Sequence, residues 1–147
     1  CYHRIGFRIQ RRGTVSHRDR HRGRLKEGIG INSKDDSIIE ILKSIDILQE
    51  KLNCRFIMTT LSERGVLIKD YNTNTYHHIP AHIREIADVS GAGDTVLSVA
   101  MLCLVCKQDP HMIAAISNLA GGLVCEEFGV VPINKERLLE ECKKIYN

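Results

Sequence analysis

The chain has 147 residues, 43% of them hydrophobic but only 5% aromatic, with a formal net charge of +3. That is one domain's worth of chain, long enough to bury a core, which must be built from Ile, Leu, Val, Ala and Met. The longest apolar run, Val96 to Cys106, has about 11 residues against the roughly 20 that a bilayer span requires, so no membrane partner is expected.

Charge is distributed unevenly. Residues 1–24 contain eight Arg, one Asp and no Lys, while residues 25–147 contain 13 basic and 17 acidic side chains. The Arg/His-rich head shows neither helical nor strand periodicity and is expected to be a disordered or aberrant segment. A nucleic-acid arm is the competing reading, since Arg suits phosphate, but only Tyr2 and Phe7 interleave aromatics, and a nucleic-acid partner is not expected. The absence of Lys from this head, against nine Lys afterwards, suggests a frameshift or divergent start, which the reading frames upstream of Leu25 would settle. The N-terminus lacks the apolar stretch of a signal peptide, and Cys54, Cys103, Cys106, Cys125 and Cys142 lie mostly in apolar segments where a reduced thiol acts as a small hydrophobe. A reducing, cytoplasmic setting is expected.

From Asp35 the pattern becomes regular. Ile38, Ile39, Leu42, Ile45, Leu48 and Leu52 recur at helical spacing, with Ser33 or Asp35 as the cap and Asn53 as the stop. Arg55 to Leu61 is a short β-rich run, Ser62 to Gly65 is turn chemistry and Val66 to Ile68 returns as a second strand, which makes a hairpin. A third strand fits Thr75 to Ile79 before Pro80. Three helices follow: Asp94 to Lys107, buried; Asp109 as cap with Pro110 at the first position, running to about Glu126; and Asn134 to Ile145 with Leu138, Leu139, Cys142 and Ile145 on one side. This order indicates an α/β layered fold.

The second of these helices presents a core stripe of Met112, Ile116, Leu119 and Leu123. Almost opposite lie Ala114, Ala115, Asn118, Gly121, Gly122 and Cys125. Interior glycines cost about 1 kcal/mol each, so this face either packs closely on a neighbour or receives a flat ligand such as a nucleobase beside Asn118.

The remaining feature is Asp88-Val89-Ser90-Gly91-Ala92-Gly93-Asp94-Thr95-Val96, a glycine loop set at the start of an apolar helix. Backbone N–H groups and the positive dipole end favour an anion there. Asp94 puts a carboxylate in the same place. One resolution is that Asp94 takes a proton from a nucleophile while the N–H groups hold the phosphoryl group under attack. The loop lacks the Gly-Lys-Ser/Thr of a Walker A motif, and Val96 stands where a dinucleotide fingerprint needs its third glycine. By spacing alone, a tight turn before a helix explains it equally well.

In full context the segment resembles the C-terminal signature of the ribokinase-like (PfkB) sugar kinases. Thr59-Thr60-Leu61-Ser62-Glu63-Arg64-Gly65 is similar to that family's nucleotide strand and turn, and Asn118 to Val124 with Phe128-Gly129-Val130 to its adenine-side helix and following loop. The wording of the glycine loop is most similar to the heptose-7-phosphate kinases of ADP-heptose synthesis. The resemblance covers roughly residues 25–147 and implies the C-terminal portion of a three-layer α/β/α fold. It implies ATP-dependent phosphorylation of a sugar or sugar-phosphate hydroxyl with Mg²⁺, and K⁺ in many members. Position by position it implies Asp94 as the catalytic base, Gly91, Ala92 and Gly93 as the anion hole, and Thr60, Ser62, Gly65 and Asn118 at the nucleotide. Asp88, Ser90 and Gly129 match the neighbourhood of a monovalent cation.

The chain departs from the family pattern in several places. Ser62 stands where the family usually has Gly, Val99 replaces a small residue, and no Asn-x-x-Glu occurs. The glycine-rich sugar site and lid of the family's N-terminal half have no counterpart, so this polypeptide alone is expected to be inactive. A non-catalytic nucleotide-binding fragment or interaction module is the alternative, and a homodimer is left open. Cys103 and Cys106 are expected to be core packing, and His77, His78 and His82 are not expected to hold a metal, because adjacent strand residues face opposite ways.

Overall fold

The first helix starts at Ser37, whose hydroxyl accepts from the N–H of Glu40 at 3.3 Å. This Ser-x-x-Glu spacing is that of a capping box, and Ser33 and Asp35, the caps expected from the sequence, lie outside the described residues. The computed structural model describes residues 9–11, 37–82 and 85–146. Helix α1 (Ile38–Leu52) closes at Asn53, which adopts the left-handed conformation with φ 47°, a region Asn tolerates better than most residues.

A four-stranded sheet follows, in the order β1-β2-β3-β4. Strands β2 (Phe56–Thr60), β3 (Val66–Asp70) and β4 (Thr75–Ile79) form the expected antiparallel meander, with Thr60 opposite Val66 and Val66 opposite Ile79. Strand β1 (Ile9–Arg11) pairs parallel to β2, Ile9 opposite Met58. These three residues lie within the Arg-rich head, where the sequence shows no strand periodicity. The rest of that head, and residues 25–36, lie outside the described residues.

Side-chain alternation along β2 and β3 buries both faces of the sheet. Ile57, Leu61 and Leu67 pack against Ile41, Ile45 and Cys54 on the α1 side. Met58, Val66 and Ile68 pack on the other side against helices α2 (Ala92–Val105) and α3 (Pro110–Val124). The layers are therefore α/β/α, as the resemblance implies. Helix α4 (Lys135–Tyr146) follows its cap Asn134, which accepts from the N–H of Arg137 at 2.8 Å.

Three helix faces differ from the sequence reading. Helix α3 is buried nearly all round, with Ile113, Ala114, Ala115, Ser117, Leu119 and Ala120 all inside, because it lies between α2 and the sheet. Its expected stripe residues Met112 and Ile116 are only half-buried. On α4, Leu138 packs on the core but Leu139 and Ile145 are exposed. Helix α2, expected to be buried, has Leu97, Met101, Leu102 and Val105 exposed among the described residues.

The hairpin is tied together at its open end. Asp70, 1% exposed, accepts from Arg55 Nε at 3.2 Å, Arg55 Nη2 at 3.0 Å and the Asn72 N–H at 2.9 Å. Burial by itself would raise this carboxyl, but the bonds and charge of Arg55, with those from the turn, outweigh it and hold the group below its ordinary value. A depressed folded value stabilises above the unfolded value of about 3.9 and is lost as pH falls through the folded one. Arg55→Met is expected to cost about 1–3 kcal/mol at pH 7. Urea midpoints should show the gap from the parent shrinking as pH falls below the unfolded value and through the lower folded one.

The turn between β2 and β3 contains a strained residue. Ser62 has φ 57°, a conformation that costs an L residue about 1–2 kcal/mol. The glycine that the resemblance expects at this position would carry no such strain. Ser62→Gly is expected to gain about 0.5–1 kcal/mol after the entropy that glycine adds to the unfolded chain, read as a higher denaturation midpoint.

Candidate functional site

The glycine loop becomes the start of α2. Gly91 is its N-cap with φ 79°, and Thr95 N–H closes the first helical bond on the Gly91 carbonyl at 3.0 Å. Ala92, Gly93 and Asp94 then fill the first turn, where backbone N–H groups have no intrahelical acceptor. The Ala92 N–H already points at the Val89 carbonyl, over a long 3.3 Å. Asp94 is exposed at the third helical position, where the dipole favours negative charge. Behind the loop, a Cβ on Gly91 would come within 3.0 Å of Val130 Cγ1.

Asp88 clasps this loop to another one. Its Oδ1 accepts from the Ser90 N–H at 2.9 Å, and its Oδ2 from the Gly129 N–H at 3.0 Å. The backbone and hydroxyl of Ser90, then the Gly129 N–H, hold its carboxyl below the usual range. The N–H groups of Ala87 and Asp88 both donate to the Cys125 carbonyl, at 2.8 and 3.2 Å. Asp88, Ser90 and Gly129, 41 residues apart at the extremes, are thus brought together by direct hydrogen bonds. The Asx turn at Asp88 is readable from Asp-x-Ser; the clasp to Gly129 is not.

The residues matched to a nucleotide sit on two elements that share one contact. Thr60 ends β2, Ser62 opens the 3₁₀ turn (Ser62–Arg64) and Gly65 closes it. Gly65 lies hard against the backbone of Ile79 to Ala81, and the Pro80 carbonyl there accepts from Asn118 Nδ2 at 2.9 Å. Gly65 and Asn118 are therefore linked through Pro80. Asn118 is buried. Gly121 has a close-packing role, because its Cβ would fall 2.4 Å from Val96 Cγ2 on α2.

Beyond the clasp, the stretch 127–134 borders a cleft of about 480 Å³ between the end of α3 and α4. Leu123, Val131 and Ile133 give it an apolar wall, and Glu127, Arg137 and Glu140 a polar rim. Its volume falls in the range of small-molecule sites. Arg137 fixes the rim by pairing with Glu126 and, at 3.1 Å, with Glu127. Sequence reasoning missed Arg137, which sits in no motif, and gave Val130 no role of its own although it lies in the Phe128-Gly129-Val130 segment named above.

Among the described residues no three His, Cys, Asp or Glu side chains form a set able to hold a metal, and no helix is long and apolar enough to cross a membrane. His78 contacts the Arg64 carbonyl at 2.8 Å and His77 packs edge-on against His111. Cys103 is buried and Cys106 exposed, both as free thiols.

A family model described as pfkB family carbohydrate kinase matches residues 27–137. The bifunctional protein HldE of Methylobacillus flagellatus is 34% identical over 101 residues, covering 69% of this chain and 20% of that protein. The HldE of Campylobacter fetus is 33% identical over 102 residues, covering 69% and 21%. The chain thus spans about a fifth of the length of the curated relatives it matches. Phosphofructokinase-2 from Escherichia coli in complex with potassium superposes with a TM-score of 0.71 at 13% identity, over 84% of this chain and 38% of that one. Arabidopsis thaliana ribokinase complexed with ribose and ATP gives 0.69 at 16% identity, over 79% and 37%. At these identities the structural likenesses establish the shared fold.

Proposed function

Because the chain belongs to the PfkB family of carbohydrate kinases, we propose that residues 25–147 are the C-terminal part of a domain that phosphorylates a sugar or sugar-phosphate hydroxyl from ATP. The observation that carries this is Asp94, exposed in the first turn of a helix that is capped by Gly91 and shares that turn with Ala92 and Gly93. The favoured acceptor is heptose 7-phosphate, supported by the wording of the loop and by the HldE relatives.

In this proposal ATP supplies the phosphoryl group. Asp94 accepts the proton of the acceptor hydroxyl as its oxygen attacks phosphorus. Backbone N–H groups of the loop stabilise the oxygens of the group in transit. Gly93 is better placed than Ala92, since the Ala92 N–H must first leave Val89. The cleft beside α4, with its apolar wall, fits the size of a nucleobase site, and Thr60, Ser62, Gly65 and Asn118 frame the nucleotide side. Asp88, Ser90 and Gly129 would hold K⁺, with Asp88 kept ionised by its hydrogen bonds. Mg²⁺ would be held largely by the phosphates of the nucleotide and would neutralise their charge, while the roles proposed for this chain's own residues are proton transfer and anion stabilisation. A cytoplasmic setting belongs to the same proposal and accords with five free thiols among the described residues.

The test is ADP formation. A complete domain containing this segment is expected to release ADP with heptose 7-phosphate faster than with hexose or pentose acceptors. The 147-residue polypeptide by itself is expected to release none, because an acceptor not held in line forfeits the rate gained from positioning. Sugar-dependent ADP release by the isolated polypeptide overturns the half-site claim. Nucleotide-dependent thermal stabilisation of the complete domain without turnover favours a non-catalytic binding module.

A further inference from the structure

Arg137, Glu126 and Glu127 each carry a charge of the wrong sign for the helix end they sit at. Arg137 lies in the first turn of α4, where the dipole favours an anion. Glu126 and Glu127 directly follow Cys125, the C-cap of α3, where the dipole favours a cation. The misplaced charges make sense as a set. Arg137 Nη2 donates to Glu126, and its Nη1 to Glu127 at 3.1 Å. Its backbone is fixed as well, because its N–H donates to Oδ1 of the capping Asn134 at 2.8 Å. The guanidinium therefore spans carboxylates on consecutive residues, which its planar fork can do in one geometry and a single ammonium cannot.

The loop so gripped is poorly held by its own backbone. The N–H groups of Glu126 and Glu127 reach the Leu123 and Val124 carbonyls over a long 3.3 Å each. Nothing packs where a Cβ on Gly129 would stand. Yet the glycine loop leans on this stretch at two points. The Gly129 N–H donates to Asp88 Oδ2 at 3.0 Å, and Val130 Cγ1 lies behind Gly91, 3.0 Å from the place of a Cβ there.

We infer that Arg137 is a positioning residue: by gripping Glu126 and Glu127 it keeps Gly129 on Asp88 and Val130 behind Gly91, and so holds the glycine loop in place for phosphoryl transfer. The last clause rests on the role proposed for that loop; the grip itself does not. Arg137 acts through the loop, and a shift of about 1 Å in what it holds can cost up to about 100-fold in rate.

The grip is read by amide hydrogen exchange in the 147-residue chain, with no ligand and no turnover. In Arg137→Gln the Gly129 amide is expected to exchange about tenfold faster than in the parent, as a local opening. The Asn53 amide, bonded to Gln49 at the far end of α1, and the thermal melt should keep the parent's values, because half-exposed ion pairs add little to global stability. Arg137→Lys, which keeps the charge without the fork, should fall between the two. The pair Glu126→Gln, Glu127→Gln should speed Gly129 as much as Arg137→Gln does and add nothing to it when combined; this pair decides if the melt of Arg137→Gln drops. Raising tetramethylammonium chloride to about 1 M, where the Debye length is about 3 Å, should bring the parent's Gly129 rate towards the variant's and leave the variant's unmoved. Gly129 exchange equal in parent and variants overturns the grip, as does an equal response of both to salt.

In a complete domain, Arg137→Gln should lower kcat about tenfold and leave nucleotide affinity, measured by calorimetry, unchanged. Faster Gly129 exchange with kcat unchanged overturns the positioning role. Lost nucleotide affinity with kcat retained overturns it too, by making Arg137 a contact of the base. A parent domain that turns nothing over removes the phosphoryl-transfer reading, and the grip then stands or falls on the exchange rates.

Discussion

Asp94→Asn in a complete domain containing this segment is expected to lower turnover by about 10²–10⁴-fold with nucleotide affinity unchanged. The substitution keeps the shape of the side chain and removes its capacity to take a proton. Asp94 is exposed, so burial contributes little to its role and the fold should tolerate the change. Its carbonyl accepts from the Ser98 hydroxyl at 2.8 Å, a backbone contact that Asn retains. The Asp88 clasp, the Gly91 cap and the cleft beside α4 involve other atoms, which is why binding and turnover should separate. Steady-state kinetics against acceptor, with nucleotide affinity measured by calorimetry, checks both halves. Turnover within threefold of the parent would remove Asp94 as the base. A matching loss of nucleotide affinity would make its role electrostatic.

The sequence pattern was most legible where local chemistry and tertiary need agree. Thr75–Ile79 emerges with the expected bounds because β-rich residues are bracketed by a turn and Pro80. Asp109 and Pro110 start α3 as expected, with Asp109 Oδ1 accepting from the Met112 N–H at 3.1 Å. Strand β1 was invisible because three residues in an Arg-rich stretch owe their extended form to pairing with β2. The stripe proposed for α3 misled because a helix held between another helix and a sheet is buried on most sides, so its apolar pattern carries little direction. In the site, the loop at α2 was readable from glycine spacing. The contacts joining Asp88 to Gly129, and Asn118 to Pro80, span 41 and 38 residues, and no local pattern encodes them.

Those long-range contacts make Gly65 the residue whose loss should spread furthest. It has φ 87° and ψ −134°, a region essentially closed to residues with a Cβ. Its N–H donates to the Ser62 carbonyl at 2.9 Å and its carbonyl accepts from the Leu61 N–H at 2.7 Å, so the turn cannot rotate away without losing both bonds. A Cβ there would sit 2.0 Å from the Ile79 carbonyl oxygen and 2.6 Å from Ala81 N and the Pro80 carbonyl carbon. All three are backbone atoms at the end of β4, and Ile79 is paired with Val66, so relief requires prising β4 from β3. Gly65→Ala is expected to cost about 3–5 kcal/mol, combining backbone strain with overpacking. It should also displace the Pro80 carbonyl that Asn118 holds and weaken nucleotide binding in whatever fraction remains folded. Urea denaturation checks the first effect and nucleotide titration the second. A loss below about 1 kcal/mol would mean that the turn relaxes freely, and the link from Gly65 through Pro80 to Asn118 would then carry no strain into the site.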